Sequence, residues 1–581
     1  MASNFFKQIK YLFKTSRHII KEFGFGYFLN FGFSQAKDQK LDLFHLKEEN
    51  GISNTPSPKK KLSYSSWKKQ QDELIDSSNL SAKHNTEKIN IIMFYNKNFP
   101  LETSLNSIME QSHQNFHLVI FTSEDHTNLK FTPNDKIELL QFTNSSYENK
   151  LSELNSEFVL LLNNSVIFEK NAILTFLKFT SENSSSQILY SDEEKLDDKG
   201  KKLPFFKPNW SKYLFYSTNY IGSSFLIKHS LLQKLHITNN IFEYDFFELL
   251  LQAIDLTNNF IHIPLILFSN SLQTTSKQME FNKKILQNFF DEKNTQTQIE
   301  RVNDSNLKIS FTLQNIPKVS IIIPTKDNLK LLSRCIRSLE YNTDYENLEI
   351  IIVNNNSSDP ETLSYLESLP YDVIDYDEKF NFSKLNNLAV DKATGDYLLF
   401  LNDDVEALEE NWLNEMVCLC QQTDVGIVGA KLLYNDNTIQ HAGMAHLKNG
   451  FYFHPYHKLP SNSKQNFGLI NCLRECSSVT GACMLIRKSL FEKIGRFDNT
   501  FDVYYGDSDL CQSAQDHGFK VIFTPYAILR HDGSSKIRTI SRVFVPVENH
   551  YDFFKKWPSL HTDPYYPHVL ENEFELDFMD S

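Results

Sequence analysis

Short apolar runs alternate with amphipathic stretches along this chain, and the alternation occurs twice. Ile89 to Phe94 is an apolar run of strand length, Leu101 to Gln111 carries helical spacing, and Phe116 to Phe121 is a second run. Glu157 to Leu162 is another, ending in Asn163-Asn164-Ser165. The pattern restarts at Lys318. Val319 to Pro324 and Leu348 to Val353 read as strands, with Leu329 to Tyr341 as the helix between them. Helices follow near Pro360 to Leu369 and from Ser383 to Lys392, and Tyr397 to Leu401 is a strand that stops at Asn402-Asp403-Asp404. Short apolar runs bounded by turn residues are buried strands, and their alternation with helices implies a parallel sheet covered by helices. The shared order is an internal repeat of about 230 residues, too long for a solenoid, so two copies of one α/β domain are predicted.

The rest of the chain divides around those copies. Residues 1–85 are predicted to be a helical N-terminal extension and linker, 86–275 the first domain, and 276–316 a polar, helix-prone connecting segment. Residues 317–545 form the second domain and 546–581 a C-terminal extension. Phe5, Phe6, Ile9, Leu12 and Phe13 recur at helical spacing among Lys7, Lys10, Lys14, Arg17 and Lys21. Such a basic amphipathic helix can lie on an anionic membrane surface or pack on the protein. Residues 50–62 carry Pro, Ser and a lysine run with little apolar content, which is linker composition.

Composition narrows the classes. The net charge is −13 and the pI near 5.8, which argues against nucleic acid as a partner. No apolar run approaches the roughly 18 residues that span a bilayer, and lysines interrupt the N-terminal apolar stretch where a signal peptide would need its core. Seven cysteines, all in the second half, form no metal-spaced pair of pairs and fit reduced thiols. The expectation is a cytoplasmic protein, with contact at the inner face of the cell membrane through residues 1–25 left open.

Chemistry concentrates where the strand Tyr397–Leu401 ends. In an open α/β sheet ligands bind beyond the carboxyl ends of the strands. Carboxylates there, beside a hydrophobic sheet, suit a hard divalent cation and the phosphates it carries. The plain alternative is a polar strand exit that caps the helix near Trp412.

Several further stretches now bear on the choice: Val319-Ser-Ile-Ile-Ile-Pro-Thr-Lys-Asp327, Ile351-Ile-Val-Asn-Asn-Asn-Ser-Ser-Asp359, Phe380-Asn-Phe-Ser-Lys-Leu-Asn-Asn387 and Leu401-Asn-Asp-Asp404. Val479-Thr-Gly-Ala-Cys483, Gly506-Asp-Ser-Asp-Leu-Cys511 and Arg530-His-Asp-Gly-Ser534 follow in order. Taken together, residues 317–545 resemble the family 2 glycosyltransferases. With the related first domain, the chain resembles two-domain bacterial transferases that build surface polysaccharides such as O-antigen. The resemblance implies a GT-A-type fold, Rossmann-like with a mixed, mostly parallel sheet, present as two tandem domains. It implies a nucleotide-diphospho-sugar donor carrying UDP or dTDP, a glycan or lipid-linked acceptor, and a metal cofactor, Mn2+ or Mg2+. The absence of a transmembrane run and of a Gln-x-x-Arg-Trp motif disfavours a processive membrane synthase.

By the same resemblance Asp404 and His531 are metal ligands, with Asn402 a helper that orients ribose or a metal-bound water. Imidazole beside oxygen favours manganese. Asp507 is the base that takes the acceptor proton, with Asp509 in support, and inversion at the anomeric carbon follows from a single displacement. Gly506 replaces the acid that usually precedes the base. The plain reading of both aspartates is a favourable helix start. Pro324, Thr325, Asp327, Asn354, Asn356, Lys384, Asn387 and Asp403 are expected at the nucleotide. Asn354 stands where an aspartate commonly reads the pyrimidine edge, whereas Asn355, Ser357 and Ser358 read as turn residues. Lys536 and Arg538 are candidates for the diphosphate. The loop context of His441, His446, His454 and His457 favours surface histidines over a second metal site.

The first domain resembles the same family through Tyr190-Ser-Asp-Glu-Glu-Lys195, Phe206-Lys-Pro-Asn-Trp210 and Asn219-Tyr-Ile-Gly222. Its chemical positions are lost: Asn163, Asn164 and Ser165 replace the metal acids, and Thr122 and Ser123 the nucleotide-reading positions. Phe246 falls at the base and Ser269 at the histidine. An inactive first domain beside one working site is the expectation. A non-catalytic glycan- or nucleotide-binding scaffold of two transferase-like domains is the alternative.

Overall fold

A computed structural model describes residues 64–77, 87–123, 134–197, 200–271, 275–447, 451–532, 547–560, 562–567 and 570. The amphipathic segment at Phe5–Phe13, the linker at 50–62, and Lys536 and Arg538 lie outside the described residues.

Runs of β-branched residues make the central strands of the second domain, where Ile321, Ile322 and Ile323 are all fully buried. The strands along the main path of its sheet are, in chain order, β1 (Val319–Thr325), β2 (Leu348–Asn354), β3 (Asp372–Asp375), β4 (Tyr397–Leu401), β5 (Val405–Ala407), β6 (Val425–Leu433), β7 (Cys483–Arg487) and β8 (Lys520–His531), with Ile439–His441 and Arg474–Glu475 pairing at its side. They lie in the order β3-β2-β1-β4-β7-β6-β8-β5. The first four run parallel, and β6 is parallel to β8. The β4–β7, β7–β6 and β8–β5 pairs are antiparallel. The carboxyl ends of β1, β2 and β4 therefore share one edge. The helices that matter to that edge are α1 (Leu329–Tyr341), α2 (Phe382–Val390), α3 (Gly506–Asp516) and α4 (Val547–Lys556).

The first domain repeats this order. Its strands run Ile137–Gln141, Phe116–Thr122, Ile89–Phe94, Phe158–Asn163, Ser224–Lys228, Ile188–Leu196, Phe260–Asn270 and Val166–Phe168 across the sheet. Directions match strand for strand. One apolar cluster joins Phe94 and Phe225 of this sheet to Ile321 and Leu529 of the other, with Tyr213 and Phe311 between them.

The flanking segments add detail to the sequence reading, and two of them depart from it. Residues 276–316 are only half helical: Ser276–Glu292 is a helix, but Thr297–Arg301 and Leu307–Phe311 form an antiparallel hairpin. Ile299, Leu307, Ile309 and Phe311 bury alternate positions, a period of two that the polar residues around them obscured. Within 1–85, Tyr64–Ser77 is a helix whose Trp67 packs edge-on against Phe206, while Gln71 exchanges hydrogen bonds with the Ile266 backbone. The C-terminal α4 is part of the second domain's packing, with Phe553 fully buried beside Phe501 and Tyr505. Among the described residues no helix is long and apolar enough to cross a membrane, and all seven cysteines are free and buried.

Gly429 on β6 lies directly under Val479, where an added Cβ would stand 2.4 Å from that side chain. Gly429→Ala must displace the Val479 backbone or strain its rotamer, and overpacking of this kind costs about 1–3 kcal/mol. Urea unfolding of the variant should show a loss in that range; unchanged stability would mean the 479 turn yields freely.

Candidate active site

The acidic turn after β4 is held by long-range pairing. β5 begins directly after Asp404 and pairs antiparallel with the end of β8, which places Val405 opposite His531. That register brings Asp404 Oδ1 to 3.0 Å from His531 Nε2. Both residues are buried, and His531 Nδ1 has no hydrogen-bond partner among the described residues. The Asp532 amide donates to the Asp404 carbonyl at 3.1 Å. Arg334 of α1 clamps the corner from outside, pairing with Glu406 and, at 3.1 Å, with Asp532 Oδ2. Asn435 also donates to Asp532. Sequence reading assigned none of these clamp residues, because each partner is distant in the chain.

Asp404 and His531 offer one anionic oxygen and one imidazole nitrogen, a donor set that suits a divalent transition metal. Among the described residues no three His, Cys, Asp or Glu side chains are grouped to hold a metal, so further ligands would come from phosphate or water. Asp403 is not the third. Its Oδ2 accepts from Thr325 Oγ1 at 2.7 Å and Asn328 Nδ2 at 3.1 Å, locking the turn to the end of β1. Burial, aided by the neighbouring Asp404 charge, pushes the Asp403 carboxyl up to about 6 against the hydrogen bond from Thr325. Its expected nucleotide role, and that of Thr325, compete with this bond.

Asp507 enters from α3, whose preceding residue Tyr505 adopts a left-handed φ of +67°. Asp507 Oδ2 accepts from the Gly481 amide at 3.0 Å and Oδ1 from the Ser508 amide at 2.8 Å. Burial holds this carboxyl above the usual aspartate range. Gly481 has no room for a side chain, since a Cβ would meet the Phe382 ring at 2.9 Å. One residue on, the Ala482 carbonyl accepts from the Asn402 amide at 3.1 Å. The turn 480–482 thus ties the Asp507 carboxylate to the Asp404 corner, and the Asn402 backbone is part of that tie.

Asp509 is placed differently from expectation. It is 1% exposed, and its two oxygens take Lys556 Nζ at 2.9 Å and Trp557 Nε1 at 2.8 Å. It anchors α4 to α3.

The other strand-end residues mostly build loops. Asp327, at φ +45°, accepts from the amides of Ser358 (2.6 Å) and Asp359 (2.8 Å), joining the loops after β1 and β2. Those amides, that of Asp359 first, hold its carboxyl below the ordinary range. Asn354 donates to Asp375 Oδ1 at 2.9 Å and accepts from the Ser357 amide. Asn355 donates to the carbonyls of Tyr376 and Glu378. Pro324 is partly open at the end of β1; Asn356, at φ +53°, and Lys384 are exposed beside the same edge. Lys384 pairs with Glu378 at 3.1 Å. Asn387 is turned away: Nδ2 donates to the Phe497 carbonyl at 2.8 Å and to Asn499 Oδ1, and Oδ1 accepts from the Phe497 amide.

The histidines are not a surface set. His441 and His446 are buried and His454 is half-buried; only His457 is exposed. His441 and His454 face each other through Nδ1 atoms 3.0 Å apart. The loops fold inward over β6, which irregular spacing could not reveal.

The first domain carries the same frame with different side chains. Val166 opposes Asn270 as Val405 opposes His531, so Asn270, and not Ser269, stands at the histidine position. Ser165 stands at the Asp404 position and lies 2.8 Å from Asn270 Oδ1 through its hydroxyl. Asn163 and Asn164 are spent on local bonds to Ser165, Asn96 and Phe99. Ser269 donates to Glu194 at 2.6 Å. Phe246 is buried against Phe94 and Phe225, and Phe94, Phe121, Phe142, Tyr147 and Phe242 complete an aromatic cluster at the strand ends. By register Phe94 and Thr122 take the places of Pro324 and Asn354.

Residues 320–495 match the model of Glycosyl transferase family 2, from β1 through β7. Over 398 residues, 66% of the chain, the sequence is 32% identical to the O-antigen biosynthesis protein RfbC of Myxococcus xanthus. Over 101 residues, 16% of the chain, it is 38% identical to the GalNAc(5)-diNAcBac-PP-undecaprenol beta-1,3-glucosyltransferase of Campylobacter jejuni. The chain spans 31% of the length of each of these two relatives. A solved structure of GalNAc-T7 with UDP, GalNAc and Mn2+ overlaps 42% of the chain and 50% of that protein, at 16% identity and a TM-score of 0.32. The resemblance drawn from the motifs holds: residues 320–495 match the family 2 glycosyl transferase model, and the chain is similar to an O-antigen biosynthesis protein.

The bonds of Asn387 separate two roles. Asn387→Ala strands the Phe497 backbone groups and should cost about 1–3 kcal/mol. Nucleotide affinity, measured by titration calorimetry on the folded variant, should stay within about twofold of wild type. A large affinity loss at unchanged stability would return Asn387 to the nucleotide.

Proposed function

We propose that the chain is a metal-dependent, inverting glycosyltransferase with one active site, at the carboxyl edge of the second sheet. The carrying observation is the linkage through 480–482. It joins a buried aspartate–histidine pair to a carboxylate raised by burial; Asp404 and the linking turn lie inside the segment that matches family 2, and Asp507 and His531 follow it in the chain. The donor is a nucleotide-diphospho-sugar, UDP- or dTDP-linked. The acceptor is a glycan or lipid-linked glycan, a class supported by the name of the Campylobacter jejuni relative.

Asp404 and His531 would hold Mn2+ or Mg2+, which when bound supplies positive charge to compensate the departing diphosphate. Asp507 accepts the proton of the acceptor hydroxyl. The Gly481 and Ser508 amides orient its carboxylate, and its raised pKa brings its basicity nearer neutrality. The acceptor oxygen forms a bond to the anomeric carbon as the bond from that carbon to the phosphate oxygen breaks. One displacement inverts the centre. The first domain is inactive in this reading, supported by Ser165 and Asn270 at the ligand positions and by the aromatic cluster where a nucleotide would lie.

A nucleotide-sugar panel with Mn2+ present, scored by nucleotide release, should identify one donor. Asp507→Asn should cut turnover by about 10²–10⁴-fold while UDP or dTDP binds as before. Asp404→Ala should remove the dependence of nucleotide affinity on Mn2+. Because Asp507 must be ionised and its pKa is raised, the acid limb of kcat/KM should fall above the ordinary aspartate value of about 3.9, with activity rising as pH rises through it. Asn163→Ala with the fold intact should leave turnover within about threefold, since nothing in the mechanism touches it. Nucleotide binding indifferent to metal, with turnover unchanged in Asp404→Ala and Asp507→Asn, would favour the scaffold reading.

A further inference from the structure

The motifs that identify the first domain take no part in this mechanism, yet they are bonded to one another. The Tyr190 hydroxyl donates to the Pro208 carbonyl at 2.8 Å. The Tyr220 hydroxyl accepts from the Ser211 amide at 2.8 Å and reaches the Asn209 carbonyl at 3.3 Å. Lys207 is buried; its Nζ donates to the Ile221 carbonyl at 2.8 Å, and its amide donates to Asp192 at 2.8 Å. These bonds fix the loop 207–211. They leave the Ser211 hydroxyl and the amides of Lys212 and Tyr213 aimed at one group, the carboxylate of Glu475 in the second domain.

Glu475 is 1% exposed. It accepts from the Lys212 amide at 3.0 Å, the Tyr213 amide at 3.2 Å, the Ser211 hydroxyl, and Lys520 Nζ of its own domain at 2.7 Å. Asp424 reinforces the contact, taking the Tyr213 hydroxyl at 2.8 Å and Lys212 Nζ at 2.6 Å. A carboxylate this buried is tolerated only with its donors in place, so it holds the two domains in one registration. From Glu475 the chain runs directly into the active turn. Glu475 pairs with Ile522 on β8, and the Cys476 amide donates to the Val521 carbonyl. Val479 lies under Gly429, the Gly481 amide holds Asp507, and the Ala482 carbonyl holds Asn402.

We propose that the first domain is a brace for the active turn, and that Glu475 is the positioning residue through which it acts. Its retained motifs build the donor cradle for that carboxylate, while its own chemical positions have gone. The claim rests on the transferase reading of Asp507 for its kinetic consequence and on the contacts alone for its structural one.

The test uses the full chain carrying Glu475→Gln and, from the opposite side, Ser211→Ala as a milder variant. Hydrogen exchange should quicken by about tenfold or more in 476–486 for Glu475→Gln and less for Ser211→Ala, while 319–325 keeps its protection. Turnover should fall by about tenfold with donor KM within about twofold, because the nucleotide edge is carried by β1 and β2. Unchanged exchange in 476–486 would overturn the brace, as would equal loosening of 319–325, which reports general destabilisation. A loosened turn with unchanged kcat would also overturn it. If wild type transfers no sugar, the transferase reading fails alone, and the exchange comparison still decides whether Glu475 braces the turn.

Discussion

The site depends on one short antiparallel pairing, β5 against the end of β8. It is three residue pairs long, and it joins the residue after Asp404 to a strand more than a hundred residues later. A slip of one residue would turn His531 to the other face of the sheet and leave Asp404 buried without its imidazole. The ion pairs of Arg334 with Glu406 and Asp532 grip both strands at this point, so the register is fixed from α1 as well as from the backbone. Partly buried charges with several partners suit that task better than a solvent-exposed pair, whose contribution is typically below about 1 kcal/mol.

What the sequence made legible follows from which interactions are local. The Val, Ile and Leu runs of β1, β2 and β4 are buried on both faces, so composition alone marks them, and the repeated order of runs anticipated the repeated order of strands. Partners distant in sequence were not legible. Asp509 looks like a second catalytic acid beside Asp507 because nothing nearby hints at Lys556 and Trp557. Asn387 reads as a nucleotide contact in sequence because its partners in the fold lie at 497 and 499. The hairpin after residue 296 was hidden for another reason: its outward positions are mostly polar or charged and so is its turn, which masked the alternation of Ile299, Leu307, Ile309 and Phe311.

The histidine position in the first domain shows the same limit on a finer scale. Counting along the chain put Ser269 there, but strand register puts Asn270 there, one residue on. The corrected position is more informative. Ser165 and Asn270 meet across the sheet as Asp404 and His531 do, so the geometry survived while the donors became neutral. Two neutral groups compensate each other at close range and need no cation, whereas an aspartate in that corner would be costly without a positive partner.

That contrast bears on the proposal that the first domain is inactive while keeping its place in the molecule. Phe94, Phe121, Phe142, Phe242 and Phe246 fill the strand ends of the first domain with a packed aromatic core, which favours folding. The edge-to-face rings fix the loops that a nucleotide would otherwise order. A rigid first domain can in turn present Ser211, Lys212 and Tyr213 to Glu475 at fixed spacing, which a cleft that opens and closes around a ligand could not do as well. On the proposed reading, an inactive first copy and its support of the second are two consequences of the same packing.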